Sequence, residues 1–168
     1  MIAGKDARMK GDDMRRATLS LALMAVSVVP VAATAQVVSA CGWIGSPANI
    51  MEPWEANTRS FANGNIRVAR VDTGGEPVCC SSYLLVLSPS GESDGPSFRQ
   101  CRIVSAQPGQ GFFDVDIAGI AASYDPRQGL LLSVPVAEWH PGMETGAPPI
   151  RDRLDIRINQ ATGSVTTE

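Results

Sequence analysis

From Ile66 onward the chain repeatedly alternates apolar and polar residues over short spans broken by Gly, Pro, Asn and Asp, and this period-two pattern is its strongest folding constraint. Side chains of a strand point alternately to its two faces, so each such span buries one face and wets the other. Ile66 to Asp72 reads as a strand, with Gly74-Gly75-Glu76-Pro77 as the turn after it. Tyr83 to Leu87 is apolar throughout, the mark of a strand covered on both faces. Phe98 to Ser105 sets Cys101 and Ile103 on one face and Gln100 and Arg102 on the other. Phe113, Val115 and Ile117 alternate with Asp114 and Asp116, which predicts a half-buried strand.

Ile120 to Tyr124 and Leu130 to Val136 flank Asp125-Pro126-Arg127-Gln128-Gly129, a hairpin in which proline presets the turn and glycine supplies positive φ. Leu154, Ile156 and Ile158 alternate with Asp155, Arg157 and Asn159, and Thr162-Gly163 leads into a last strand from Ser164 to Thr167. About seven or eight short strands without a long amphipathic helix predict a mainly β protein, an antiparallel β-sandwich over residues 65–168. Ser88 to Ser97, rich in Gly, Pro and Ser, and His140 to Pro149, rich in Gly and Pro, read as exposed loops.

Residues 36–64 break the pattern. Pro47 and Pro53 interrupt any long helix, so this segment is expected to be irregular or short-helical. Ser46-Pro47 suits the start of a helical turn, and a second short helix is expected from Trp54 to Phe61, stopped by Asn63-Gly64. Trp43, Trp54 and Phe61 are expected to cover one end of the sandwich or to line a small apolar groove.

Ahead of this segment, Arg15 and Arg16 precede an uncharged apolar run from Ala17 to Ala33, and Ala33-Thr34-Ala35 offers the small residues of a cleavage site before Gln36. Basic, apolar and small-residue regions in that order make a secretory signal over 14–35, with 1–13 read as an upstream extension of the true start at Met14. The run is short for a membrane span and contains Pro30. The expected mature chain starts at Gln36 and is periplasmic or secreted. Val38-Ser39-Ala40-Cys41 also resembles a lipobox, so lipidation at Cys41 and attachment to the envelope membrane is the alternative. Cleavage after Ala35 is favoured because it leaves four cysteines, Cys41, Cys79, Cys80 and Cys101, an even set suited to an oxidising compartment.

The mature chain has no lysine and nine arginines against fourteen Asp and Glu, a formal net charge of −5. Such a chain is a poor partner for nucleic acid or an anionic membrane. For the adjacent cysteines Cys79 and Cys80 the easier pairing is one with Cys101 across the sheet and the other with Cys41, while spacing alone does not choose among the three connectivities of the four cysteines. Side chains next to each other in a strand face opposite ways. Cys79 or Cys80 with Cys101 and His140 is also a candidate zinc or copper set by donor chemistry.

His140 is the only histidine, so an imidazole base has one candidate, with Asp114 or Asp116 as carboxylate partner. Asp114, Asp116 and Asp125 are candidate calcium ligands as well, although a polar strand face and a turn initiator explain them equally. No Gly-x-Ser-x-Gly elbow occurs, and a mature chain without lysine excludes a serine–lysine mechanism. The expected function is therefore a non-catalytic envelope module binding a small ligand or an envelope protein, with no cofactor. The alternatives are an envelope hydrolase built on His140 and a copper- or zinc-binding protein. Intact mass of the envelope-extracted protein, alkylated without reduction, checks the processing: a mass starting at Gln36 with no alkyl group is expected, and an acylated Cys41 chain carrying alkylated thiol would refute it.

Overall fold

The computed structural model describes residues 36–75, 79–91 and 99–168. The signal segment 14–35 and the extension 1–13 lie outside them, as do Glu76-Pro77 of the first turn and most of the Ser88 to Ser97 loop.

Among the described residues ten strands form two antiparallel sheets. In the first, β1 (Val37–Ala40), β5 (Arg99–Ser105), β4 (Ser82–Pro89), β3 (Ile66–Asp72) and β2 (Thr58–Phe61) lie side by side in that order. In the second the order is β10 (Ser164–Thr167), β9 (Ile150–Asn159), β8 (Gly129–Glu138) and β6 (Asp114–Val115), and β7 (Ala121–Asp125) pairs with β8 beyond β6. Apolar residues of the inner faces meet in one core. Ile66, Val68, Leu84, Val86 and Val104 from the first sheet pack with Leu132, Val134, Leu154, Ile156 and Ile158 from the second. Each fully buried side chain of this kind stabilises by about 1.5–3 kcal/mol relative to exposure. The arrangement is the expected β-sandwich, with more strands than the sequence pattern counted.

The additional strands come from the segment expected to be irregular. β1 and β2 are edge strands of the first sheet, so the sandwich begins at Val37 rather than at residue 65. Ser46 does cap a 3-10 turn, Pro47–Asn49, accepting from Ala48 N–H at 3.3 Å. The helix expected from Trp54 to Phe61 stops early: α1 is Trp54–Asn57 only. Thr58 Oγ1 donates to Trp54 O at 2.8 Å, and Thr58 to Phe61 then pair with Ala69 to Ile66. Cross-strand pairing with β3 overrides the local helical preference.

Strand β4 is covered on both sides, as its unbroken apolar run implies. Its inner residues join the core, while Tyr83 and Leu85 form a second cluster with Ala69, Val71 and Ile103, against which Ile44 and Ile50 pack. The N-terminal segment thus roofs the outer face of the first sheet. Trp43 and Trp54 do not join that roof; they are 72% and 52% exposed.

Cys41 bonds to Cys101, and Cys79 bonds to its neighbour Cys80. This corrects the expected pairing of Cys79 or Cys80 with Cys101. In the β1–β5 register Ala40 faces Arg102, so the next residue, Cys41, falls opposite Cys101, with Cα atoms 5.4 Å apart. Cys79 and Cys80 lie before β4 begins at Ser82, outside any strand, so the opposite-face rule does not govern them. Gly45 belongs to the same bridge: a Cβ there would come within 2.5 Å of Cys41 Cβ.

The strand expected from Phe113 to Ile117 is also corrected. Only Asp114–Val115 pair with β8, and Phe112 rather than Phe113 is buried. Here the chain crosses between sheets: Phe112 bridges to Ser82, and Phe113 N–H donates to Ala137 O at 2.9 Å.

The two disulfides close very different loops. Replacing both Cys41 and Cys101 by serine is expected to cost about 4 kcal/mol, the loop-closure value for their separation of 60 residues. The Cys79→Ser/Cys80→Ser variant is expected to lose under about 1 kcal/mol, because neighbouring residues close no loop. Urea unfolding of the two variants without reductant checks the contrast.

Candidate functional site

At the end of the sandwich where β3 finishes and β4 begins, the chain leaves a cavity of about 430 Å³. Cys79, Cys80 and Ser81 line it from the approach to β4, Phe113 from the crossing, and Trp139, Met143 and Glu144 from the segment after β8. Phe113 is 42% exposed. Among the described residues, Glu144 is the only charged one in that lining. Apart from Glu144 and Ser81 the described walls are aromatic, thioether and disulfide, a composition that suits a small-molecule site.

Beside the cavity runs a polar network. Asp72 accepts from Ser81 Oγ at 2.6 Å, from Gly74 N–H at 2.8 Å and from Ser82 Oγ at 3.2 Å. Arg70 donates to Ser82 Oγ at 3.1 Å and is ion-paired with Asp114. Burial pushes the Asp72 carboxyl upward, but the hydrogen bonds from Ser81, Gly74 and Ser82 and the charge of Arg70 outweigh it. The group is held below its ordinary value of 3.8.

His140 closes the loop that carries Met143 and Glu144. Its Nδ1 accepts from Gly142 N–H at 3.2 Å, which places the proton on Nε2, and Nε2 donates to Pro148 O at 2.9 Å. The ring caps a 3-10 turn, Pro141–Thr145, inside what the sequence presents as a plain loop. Both nitrogens serve backbone groups of that loop, so His140 presents no free base.

The other candidates are dispersed. Asp114 faces Arg70. Asp116 accepts from Gly119 N–H at 3.0 Å, and Asp125 from Arg127 and Gln128 N–H at 2.7 and 3.0 Å, the ordinary work of turn residues. Neither a His140–carboxylate couple nor a calcium cluster is brought together. Cys101 is bonded to Cys41 under the first sheet, away from the proposed zinc or copper set. Among the described residues no group of three or more His, Cys, Asp and Glu is placed to hold a metal ion.

Sequence reasoning singled out Cys79, Cys80 and His140 but not Phe113, Trp139, Met143 or Glu144 as their neighbours. The available signal was Trp139-His140-Pro141-Gly142-Met143, where bulky apolar residues stand in a loop otherwise built for solvent. A second concavity of about 350 Å³ lies on the outer face of the first sheet, lined by Ile50, Trp54, Arg67, Leu85 and Leu87 among others. Trp54 lines this mixed polar and apolar groove without Trp43 or Phe61, and Phe61 packs against the main core instead.

All four cysteines are paired, and no described helix is long and apolar enough to cross a membrane. The paired cysteines fit a non-cytoplasmic protein, since disulfides persist in oxidising compartments. Comparison with protein-family models, with curated proteins and with solved structures returns no match.

The depressed Asp72 acidity has a sign that can be tested. A carboxylate held below its unfolded value stabilises the fold above about pH 4, and that contribution vanishes as pH falls through the folded value. Asp72→Asn is therefore expected to be less stable than the parent at pH 7, with the difference shrinking below pH 4. Urea midpoints from pH 2.5 to 7 check it; a difference independent of pH would refute the assignment.

Proposed function

We propose that this chain is an exported, non-catalytic binding module, periplasmic or secreted, that takes a small apolar cation into the cavity walled by Phe113, Trp139, Met143 and the Cys79–Cys80 disulfide. The observation that carries this reading is the cavity lining itself. Aromatic side chains attract a cation through the negative faces of their rings, and Glu144 adds a negative charge to the same space. The apolar walls favour a ligand with a hydrocarbon body rather than a hydrated ion.

Export is supported by the signal-like segment before Gln36 and by the paired cysteines. The Cys41–Cys101 bond also favours a chain released after Ala35 over one anchored at Cys41, because acylation would occupy the Cys41 sulfur. A hydrolytic reading has less support, since His140 directs both ring nitrogens to its own loop.

Benzyltrimethylammonium is a suitable probe. Titration into the oxidised protein, followed by NMR, is expected to give saturable shifts at Phe113, Trp139 and the Met143 methyl. Trp139→Ala is expected to weaken binding by about tenfold and Glu144→Gln, at an exposed position, by about fivefold, which is ~1 kcal/mol for a cation–carboxylate or cation–aromatic contact of this kind. Non-saturating shifts, or equal binding by both variants, would overturn the reading.

A further inference from the structure

We infer that the Cys79–Cys80 disulfide is the reducible cap of a soft-metal site, and that its opening lets Cys79, Cys80 and Met143 hold one cuprous ion. The inference rests on the reading of this cavity as a binding site and names a second, redox-dependent ligand for it.

Loop closure separates the two disulfides of the molecule. Cys41 and Cys101 join segments 60 residues apart and pack against the cluster of Ala69, Val71, Tyr83, Leu85 and Ile103, a position that accounts for that bond by stability. Cys79 and Cys80 are adjacent, so their bond constrains almost nothing in the unfolded chain. It also lies on a cavity wall, with Cys79 exposed and Cys80 half-buried, where an external thiol can reach it.

The donor set follows from the lining. Reduction places two thiols in a cavity that already holds the Met143 thioether, and thiolate with thioether sulfur selects Cu(I) over harder ions. Adjacent residues supply two sulfurs from one short segment, and a third soft donor comes from another part of the lining. Met143 lines the same cavity from the turn that His140 pins through Gly142 and Pro148. Glu144, beside it, favours a cation in the same space.

The chemistry balances with a dithiol as reductant. The dithiol gives two electrons and two protons to the Cys79–Cys80 bond and becomes a disulfide itself. The two new thiols then release two protons as their sulfurs bind Cu(I), whose oxidation state does not change.

The test uses the full mature chain. It is reduced anaerobically with dithiothreitol, desalted, and titrated with Cu(I) against the chromophoric chelator bicinchoninate, with alkylation and mass measurement to count thiols. Two thiols at Cys79 and Cys80 and uptake of about one Cu(I) per reduced chain are expected, with none by the oxidised chain. Cys79→Ser/Cys80→Ser is expected to take none, and Met143→Leu to bind about tenfold more weakly. Copper left with bicinchoninate, equal uptake by the double-serine variant, unweakened binding by Met143→Leu, or reduction of Cys41–Cys101 in preference would each overturn the inference. Benzyltrimethylammonium binding by the oxidised chain is measured in parallel. If it persists while copper uptake fails, the metal inference alone falls; if copper is taken up and the organic cation is not, the organic-ligand reading alone falls.

Discussion

The architecture turns on the crossing at Gly111–Phe113, where one stretch of backbone is hydrogen-bonded to both sheets. Gly111 N–H donates to Cys80 O at 2.8 Å, Phe112 exchanges bonds with Ser82, and Phe113 N–H reaches Ala137 O on β8. The approach is so close that a Cβ on Gly111 would lie 2.4 Å from Ser82 O, so only glycine fits. Buried backbone groups need partners, and this stitch supplies them where each sheet would otherwise end in unpaired amides. It also sets Phe113 beside Cys79 and Cys80, which makes the cavity a consequence of how the sandwich is closed.

Polar side chains occupy both ends of the inner layer, where the apolar core runs out. At the cavity end, Arg70 and Asp72 on β3 continue the inward face of Ile66 and Val68, and Arg70 reaches Asp114 on the opposite sheet. At the other end Ser88 is fully buried, and Gln100 donates to Ser88 Oγ, to Pro89 O and to Gly163 O between β9 and β10. Buried polar groups are tolerable when hydrogen-bonded, and these bonds tie the sheets together where hydrophobic contact is thin. The carboxylates that looked chemically promising are absorbed by this task and by turns.

Cysteine pairing follows a similar division. The bond between Cys41 and Cys101 fastens the roof of the first sheet to β5, a structural duty that its long closed loop makes worthwhile. The bond between Cys79 and Cys80 fastens nothing distant. Its position on the cavity wall is what the proposed recognition and redox roles rest on. His140 has a supporting part, because its two ring nitrogens shape the turn that brings Met143 and Glu144 to the same cavity.

Much of the β framework was legible from local pattern, since a strand's alternation is written in neighbouring residues. β3 spans Ile66–Asp72 and β10 spans Ser164–Thr167, as their alternation and turn signals imply, and the unbroken run Tyr83 to Leu87 announced a strand covered on both faces. Local pattern failed at Trp54 to Phe61 and at Phe113 to Ile117, where pairing with β3 and the crossing between sheets decided the outcome. The site was less legible still: Cys79, Cys80 and His140 stand out in the chain, but Phe113 and Trp139 to Glu144, which share the cavity with the two cysteines, lie 33 to 65 residues beyond them and carry no shared motif. By itself the sequence determined the mainly β character, the turn positions and an even set of cysteines, because these depend on residue type and short spacing. Only the tertiary structure decided which cysteines bond, which carboxylates are occupied and where the cavity opens, because those depend on strand order and register, which bring distant residues face to face.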